Sequence, residues 1–292
     1  MDLFLKGDNM GKRFDTLLFP GGKNKVFTLS YDDGVTQDRR LVEIFNKYNV
    51  KCTFNLGYGN LGWKSDPKFP VNTSRVEKEE VRELYRNHEV GGHALYHSDI
   101  SSLGAPYSMY EILEDKAGLE KLTGYPLVMF AYPFGLFNEK TKEYLKIAGY
   151  KGARTVKSTL GFELPTDTYE LNPTCHHNDE KLMELAEKFV TMRTFKPSMF
   201  YVWGHAYEFD RNDNWDVIEN LVKYISENGQ DIWFATNGEI LDYIQAYQML
   251  EYSVDGSMIR NPSAIDVEIM TAFGQKEILK AGTVTEIGET PL

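Results

Sequence analysis

The sequence contains little cysteine and has no long apolar run. Its 292 residues include only two cysteines, Cys52 and Cys175, and two thiols cannot form a disulfide framework or a zinc site built from thiolates. Cys52 lies within the apolar segment VKCTFNL and is expected to be a small buried residue. No apolar run approaches the length needed to cross a membrane, so no membrane span is predicted.

Basic residues are also in deficit. The chain carries 43 acidic and 32 basic residues, a formal net charge of −11, which argues against a nucleic-acid partner. The amino-terminal segment MDLFLKGDNMGKRFD has too short an apolar stretch for a signal peptide. The sequence therefore predicts a cytoplasmic protein, or an extracellular one if a leader was removed beforehand. Nothing in it indicates the oligomeric state.

Apolar segments of strand character alternate with amphipathic segments of helical character from about residue 25 to about residue 247. This alternation predicts an α/β protein with βαβ units around a parallel sheet. Seven or so repeats are enough to close a barrel, whose active site lies at the carboxyl ends of its strands. The predicted strands are KVFTLS, CTFNL, HEVGGH, LVMFA, GARTV, SMFYVWG and DIWFA; the predicted helices are 37–48, 76–87, 107–122, 138–147, 178–192, 214–227 and 237–247; the stretch 157–177 is predicted to be irregular.

The chain changes character near residue 250. The segments YSVDGSMIRNPS, DVEIM and GTVTEI are short and rich in strand-forming residues, with turn residues between them. We therefore predict a barrel domain over residues 1–248 and a small β-rich extension over residues 249–292. No linker in the sequence suggests a second full domain.

Residues suited to metal binding and acid–base chemistry follow several of the predicted strands. Asp32 and Asp33 end the first strand within SYDDG, and His93 and His97 follow the third within GGHALYHSD. On a helical turn, two histidines four residues apart share a face and can bind one ion, and an aspartate oxygen completes a catalytic type of metal site. Each signal is weak alone, because Asp-Gly is a common turn and the histidine spacing often arises by chance.

The order of four segments along the chain resembles that of the polysaccharide deacetylase family, the NodB-homology domain of carbohydrate esterase family 4. The segments are SYDDG (30–34), HALYH (93–97), AYPF (131–134) and WGH (203–205), which match the family motifs T-F-D-D-G, H-[ST]-x-x-H, R-x-P-Y and L-x-H. The resemblance spans residues from about 25 to about 247. It implies a distorted (β/α)7-type barrel that binds a divalent metal and removes acetyl groups from N-acetylated saccharides. Zn²⁺ is the expected metal, with Co²⁺, Mn²⁺ or Ni²⁺ as alternatives.

The resemblance assigns the two adjacent aspartates to different tasks. It implies that Asp32 is the general base and that Asp33, His93 and His97 bind the metal. The chemistry favours this division, because one carboxylate cannot easily bind the ion and also stay free to accept a proton from the attacking water.

The resemblance also implies roles at the later motifs. The backbone N–H of Phe134 would stabilise the oxyanion together with the metal, and His205 would protonate the departing amine. Because the donor at Phe134 is main chain, phenylalanine in place of the family's tyrosine is tolerated. Tyr132 and Trp203 flank the motifs and are expected to contact the sugar, although most aromatic side chains of such a chain belong to the core.

Two motifs depart from the family pattern at single positions. Ala94 replaces the serine or threonine of the second motif, which removes a hydroxyl that steadies the loop. Ala131 replaces the arginine of the third motif, which is thought to hold the base. Arg154, at the end of the strand GARTV, can supply the missing charge from the next strand; the alternative is a solvated surface arginine.

The family's fourth motif, an aspartate with a nearby tryptophan, has no clear match between residues 152 and 177. Asp167 or Glu208 can orient His205 in its place, and the spacing does not choose between them.

Two adjacent histidines, His176 and His177, lie outside the matched motifs. They either extend the site toward the substrate or merely precede a helix that Asn178 caps, as asparagine commonly does. The sequence slightly favours the helix start, and the roles of the two histidines stay open.

Three functions are compatible with these residues. The leading hypothesis is a metal-dependent deacetylase of N-acetylated saccharides. The second keeps the metal but acts on a small non-sugar amide. The third is a saccharide-binding protein that has lost catalysis, suggested by Ala131 and the missing fourth motif. The retained Asp32 and His205 count against the third, because a binding protein needs neither a base nor an acid.

Overall fold

The computed structural model describes residues 15–287, and strands form its centre and one end. In chain order these strands are β1 (Thr16–Leu18), β2 (Lys25–Asp32), β3 (Cys52–Leu56), β4 (Glu89–Gly92), β5 (Met129–Ala131), β6 (Gly152–Arg154), β7 (Cys175–His176), β8 (Ser198–Gly204), β9 (Ile232–Phe234), β10 (Glu251–Tyr252), β11 (Met258–Arg260), β12 (Val267–Met270), β13 (Lys276–Leu279) and β14 (Val284–Glu286).

Helices connect most of the central strands. They are α1 (Asp38–Lys47), α2 (Val81–Leu84), α3 (Ala105–Thr123), α4 (Glu139–Ile147), α5 (Leu182–Thr191), α6 (Tyr207–Asn212), α7 (Trp215–Asn228) and α8 (Asn237–Gln248), with short 3-10 helices at Tyr58–Asn60, Lys78–Glu80 and Pro133–Gly135. Among the described residues, none of these helices combines the length and the apolar character needed to cross a membrane.

The central sheet is parallel throughout. Its strands lie in the order β6-β5-β4-β3-β2-β8-β7, and β9 also pairs with β2. Every residue of β2 is buried, as expected for a strand covered on both faces. The sheet curls into a distorted (β/α) barrel with helices around it, which confirms the predicted fold class. Since the strands run in one direction, their carboxyl ends meet at one mouth.

The sheet contains one strand more than the sequence predicts. Strand β7 comes from the stretch predicted to be irregular, and it pairs with β8 through Cys175↔Val202 and His176↔Trp203. Two residues are too few to show the alternation that identifies a strand. The pairing places His176 at the carboxyl end of the sheet.

Several predicted helices differ in length from those of the structure. The helix predicted over 178–192 begins only at Leu182, because the chain turns directly after β7: the N–H of Asp179 bonds to the carbonyl of His176 at 3.0 Å. The predicted helix 76–87 is reduced to a 3-10 turn and the short α2, and α6 was not predicted at all.

The residues after α8 form short antiparallel strands, as their composition predicts. Strands β10, β11 and β14 form one small sheet, and β12 and β13 form another together with the amino-terminal β1. Leu17 of β1 faces Ile269 across the ladder, and both are buried in a second core at this end of the molecule. Residues 16–18 therefore pair with the C-terminal segment, and the boundary at residue 248 stays a prediction.

Candidate active site

The two adjacent aspartates lie at the mouth of the barrel and contact different neighbours. Asp32 is the last residue of β2 and is 2% exposed. Its Oδ1 accepts a hydrogen bond from Asn55 at 2.8 Å, and its Oδ2 pairs with the guanidinium of Arg154. Asp33 has left the strand with φ of 83°, a conformation that non-glycine residues rarely adopt, and its Oδ1 lies 3.2 Å from Arg75. The turn thus separates the two carboxylates.

Arg154 is buried against Asp32 rather than solvated. It is 1% exposed, which contradicts the surface alternative, and its guanidinium lies 4.4 Å from the centre of the Trp203 ring. In the β5–β6 ladder, Ala131 and Arg154 are register partners. Position 131 has no guanidinium, but Arg154 on the neighbouring strand brings one to the same level of the barrel.

The surroundings of Asp32 favour its ionised form. Burial by itself would raise the pKa of this carboxyl, but the charge of Arg154, the nearby rings of His93 and His205 and the hydrogen bond from Asn55 outweigh it and lower the pKa to about 2. Asp32 is therefore a carboxylate at neutral pH, ready to accept a proton.

The two histidines of the second motif share a site, but not because they lie on a helix. Residues 93–97 form a loop in which Ala94 and His97 have φ values of 60° and 59°. The prediction of a helical turn is wrong, because these left-handed residues reverse the chain within one short loop. The rings of His93 and His97 still meet edge to face, with centroids 4.7 Å apart.

The donor atoms of Asp33, His93 and His97 converge on one point. Their ligand atoms all lie within 4.8 Å of one another. The Nδ1–H of His93 donates to the carbonyl of Ala131 at 2.7 Å, which leaves the lone pair on Nε2, a buried atom with no hydrogen-bond partner. Burial lowers the pKa of His93 to about 4, so the ring is neutral. Two neutral imidazoles and a carboxylate fit a divalent transition metal.

Two acidic residues of α3 brace the histidine loop. Asp115 accepts the backbone N–H of His93 at 3.0 Å, and Glu111 accepts the backbone N–H of Tyr96 at 2.9 Å. Both act on the loop where Ala94 lacks the hydroxyl of the family motif. Sequence reasoning missed them because they follow the loop by more than a dozen residues, on a helix that gives no separate signal.

The two aromatic residues of the third motif lie in different places: Tyr132 in the core and Phe134 at the mouth of the barrel. Tyr132 is 1% exposed, donates its hydroxyl to the carbonyl of Tyr169 at 3.1 Å and stacks on Phe137, so its predicted contact with a sugar is wrong. Phe134 is 63% exposed, has φ of 57°, and its ring lies 4.5 Å from that of His97. Only Phe134 of this pair stands beside the candidate metal ligands.

His205 lies between two carboxylates. Its Nε2 is 4.0 Å from Oδ2 of Asp32, and its Nδ1 is 3.7 Å from Oε2 of Glu208. Burial alone would lower the pKa of His205, but the carboxylates of Glu208, Asp32 and Asp33 outweigh it and raise the pKa above the ordinary value. Asp167, the other candidate partner, pairs with Lys142 at 3.0 Å. Of these two candidate partners, Glu208 is the one that lies beside His205.

The adjacent histidines also reach this site. His176 and His177 each place Nε2 3.1 Å from Oε2 of Glu208. A Cβ added at Gly204 would lie 2.0 Å from Nδ1 of His177, so only glycine leaves room for this ring beside β8. The favoured helix-start interpretation is wrong, because the unpredicted β7 carries these residues to the mouth.

Arg75 is a further residue that the sequence did not single out. It lies in the long loop after β3, where it forms a bridge with Val35, and the N–H of Val76 bonds to the carbonyl of Gly34 at 2.9 Å. These bonds fasten the loop to the turn that carries Asp33 and bring the guanidinium to that carboxylate. No motif marks a loop arginine of this kind.

Part of the chain is similar to a known family. Residues 20–153 match the family described as polysaccharide deacetylase. The match covers less than half of the 292 residues, so it shows what this part of the chain is similar to. A comparison with curated proteins found no match.

Solved structures share the fold at low sequence identity. A protein of Mycobacterium smegmatis designated a polysaccharide deacetylase is 16% identical, with a TM-score of 0.59 over 85% of this chain and 98% of that one. One of Pseudomonas aeruginosa with the same designation is 16% identical, with a TM-score of 0.56 over 76% and 91%. A peptidoglycan deacetylase of Bacillus subtilis is 14% identical, with a TM-score of 0.50 over 80% and 98%. The chain spans only 55% of a Streptococcus pyogenes deacetylase that it also matches.

Proposed function

We propose that this chain is a metal-dependent hydrolase that removes acetyl groups from N-acetylated saccharides. The observation that carries the proposal is the convergence of donor atoms from Asp33, His93 and His97 beside Asp32, a buried carboxylate that stays ionised. Hydrolysis of an amide needs an electrophile, a base for water and an acid for the amine. This mouth has a candidate for each.

Asp33, His93 and His97 would hold the ion. Two imidazoles and one carboxylate leave coordination positions open, as in catalytic rather than structural zinc sites, and Zn²⁺ is the metal we propose, with Co²⁺, Mn²⁺ or Ni²⁺ as substitutes. A divalent ion bound there would polarise the acetyl carbonyl and lower the pKa of a coordinated water. Arg75 would keep one oxygen of Asp33 occupied and fix the direction of the other.

Asp32 and His205 would move the protons. Asp32 takes a proton from the water whose oxygen adds to the carbonyl carbon, and Arg154 keeps Asp32 ionised and aimed. His205 then donates a proton to the nitrogen as the C–N bond breaks, so that acetate and a free amine leave. The distance of 4.0 Å between Nε2 of His205 and Oδ2 of Asp32 supports this pairing of acid and base.

Two aromatic residues of the mouth would complete the site. The backbone N–H of Phe134 would donate to the oxyanion, and the exposed ring of Phe134 would border the substrate. Trp203, half-buried under Arg154 and 5.8 Å from the ring of His205, would form part of the floor.

A saccharide-binding protein without catalysis is the weaker hypothesis. Its main argument was the arginine missing at Ala131, and Arg154 occupies the position beside the base from the paired strand. A buried ion pair at the base has no use in a protein that only binds.

The proposed activity is tested by measuring acetate and free amine released from chito-oligosaccharides and other N-acetylated glycans. The protein is stripped of metal by chelation and assayed before and after reloading with zinc. We expect equimolar acetate and amine from at least one substrate, only after reloading. Release that is undiminished by chelation, or none from any N-acetylated saccharide by the zinc-loaded protein, would contradict the proposal.

Replacing a metal ligand tests the site itself. The variant His97→Ala is expected to bind zinc on the order of 100-fold more weakly and to release no acetate at stoichiometric zinc, because one of three protein ligands is gone. Zinc titration by calorimetry measures the first effect. His88→Phe is the matched control: this histidine packs against Phe45 and Phe54 away from the site, and zinc affinity should stay within about twofold of the parent. Equal affinity for zinc in His97→Ala and the parent would exclude His97 as a ligand.

A further inference from the structure

Glu208 is the meeting point of three imidazole rings. It lies three residues after His205, on α6, and is 8% exposed. Its Oε2 lies 3.1 Å from Nε2 of His176, 3.1 Å from Nε2 of His177 and 3.7 Å from Nδ1 of His205. Its Oε1 accepts a hydrogen bond from Arg211 at 3.0 Å. The buried carboxylate of Glu208 thus lies next to the side chains of His176 and His177, of His205 directly after β8, and of Arg211 on its own helix.

The hydrogen bonds at Nδ1 of His176 and His177 indicate which nitrogen of each ring carries the proton. The backbone N–H of Asn178 donates to Nδ1 of His176 at 3.1 Å, so the lone pair is there and the proton is on Nε2. The hydroxyl of Tyr31 lies 3.2 Å from Nδ1 of His177 and can donate to it in the same way. Both rings can therefore carry their proton on Nε2, the nitrogen that lies 3.1 Å from Oε2 of Glu208.

This arrangement holds the carboxylate ionised. Burial alone would raise the pKa of Glu208, but the rings of His176, His177 and His205 around the carboxylate outweigh burial and hold the pKa far below its usual range. The carboxylate lies closer to the rings of His176 and His177, at 3.1 Å, than to that of His205, at 3.7 Å. The ring of His205, 20% exposed at the mouth, is the only one of the three that also faces Asp32 with its other nitrogen.

The same side chains could be read as a second metal site. Ligand atoms of His176, His205 and Glu208 lie within 4.8 Å of one another. An ion at that position, however, would need the lone pair on Nε2 of His176, and the proton would then move to Nδ1, against the N–H of Asn178. The hydrogen bonding of His176 therefore favours a donor over a ligand.

We propose that Glu208, anchored by His176 and His177, is the positioning residue that keeps a proton on Nδ1 of His205 and turns Nε2 toward the reacting amine. The inference rests on the proposed function in that His205 is taken as the acid. In this proposal Glu208, three residues after His205, takes the place of the aspartate of the missing fourth motif. His176 and His177 then have the role of holding Glu208. Orienting partners of this kind are typically worth about 10- to 100-fold in activity.

The variant Glu208→Gln tests the inference through kinetics. The glutamine side chain has nearly the volume of glutamate, but its NH₂ group must face either the imidazole rings or Arg211. Because each of these is a donor, one of the contacts of Glu208 is lost. We expect kcat for an N-acetyl saccharide to fall about 10- to 100-fold with KM nearly unchanged. An activated aryl acetate ester, whose leaving group needs little protonation, should be turned over within about threefold of the parent rate.

A double-mutant cycle separates positioning from a merely structural effect. In a His205→Ala background, adding Glu208→Gln should lower kcat for the amide by a further factor of less than about three, because both substitutions disable the same function. Asp167→Asn is the matched control: it removes the other candidate carboxylate, which pairs with Lys142, and should leave the amide-to-ester ratio unchanged. Two results would overturn the inference. One is a kcat for the amide that is the same in Glu208→Gln as in the parent; the other is an equal fold-loss from Glu208→Gln in the presence and in the absence of His205.

A measurement on the parent protein decides the inference even if no deacetylation is found. Nitrogen-15 NMR of histidine-labelled, zinc-loaded protein should show neutral His205 protonated on Nδ1, and His176 protonated on Nε2. A neutral His205 protonated on Nε2 would contradict the positioning role. Binding of two zinc equivalents by the parent and one by Glu208→Gln would overturn it in favour of a second metal site.

Discussion

Leucine in place of Arg154 is expected to abolish turnover at neutral pH and to destabilise the fold. Arg154 is the buried cation that faces Asp32, and both side chains are almost fully buried. Removing one partner of a buried ion pair typically costs about 3–5 kcal/mol, because the other charge is left uncompensated. Asp32 would escape that cost by taking up a proton, and a protonated Asp32 cannot act as a base.

The pH dependence gives the sign of this effect. In the parent the pKa of Asp32 is lowered to about 2, so the base is ionised over the whole working range. Without the Arg154 charge, burial dominates and raises this pKa, so the acidic limb of kcat/KM should move to higher pH. The pH–rate profile and denaturant unfolding measure the two consequences separately.

A surface arginine serves as the control for Arg154→Leu. Arg39 pairs with Glu80 at 2.8 Å but is 50% exposed, and exposed pairs are worth about 0–1 kcal/mol. Arg39→Leu should therefore leave both activity and the acidic limb unchanged. An acidic limb in Arg154→Leu that coincides with that of the parent would show that Arg154 does not set the ionisation of the base.

Asparagine in place of Asp32 is expected to lower kcat about 1,000-fold while zinc binding persists. General bases contribute on the order of 10² to 10⁴ to such reactions, and an amide cannot accept the proton. Asp32 is bonded to Asn55 and Arg154, and its Oδ2 lies 4.0 Å from Nε2 of His93, beyond hydrogen-bond distance, so the substitution leaves Asp33, His93 and His97 in place. Steady-state kinetics together with zinc titration provide the test. A loss of zinc that equals the loss of turnover would place Asp32 among the ligands.

Chain order predicts most of this site, because residues that end parallel strands meet at one mouth. Asp32 ends a strand that is buried throughout, Asp33 follows it, and the structure brings Asp33 together with His93 and His97. That convergence did not need the helical turn expected for the histidines. A loop with left-handed residues achieves the same contact.

The remainder depends on register and on contacts that no spacing reveals. Arg154 reaches Asp32 because it is opposite Ala131 in the β5–β6 ladder, which one sequence does not show. Glu208 is near His205 only because a short helix begins directly after β8, and a helix of six residues leaves no clear period. Tyr132 was assigned to the mouth from its place in a motif, but its hydroxyl bonds inside the core.

The division of labour between the adjacent aspartates is the central claim, and zinc content with acetate release, measured on the same preparations of Asp32→Asn and Asp33→Asn, tests it most directly. Asp32→Asn should retain one equivalent of zinc and release almost no acetate. Asp33→Asn loses the charged one of three protein ligands and should therefore fail to retain zinc. It should regain part of its activity at high zinc concentration. The same loss of zinc in both variants, or zinc retained by Asp33→Asn and lost by Asp32→Asn, would contradict the claim.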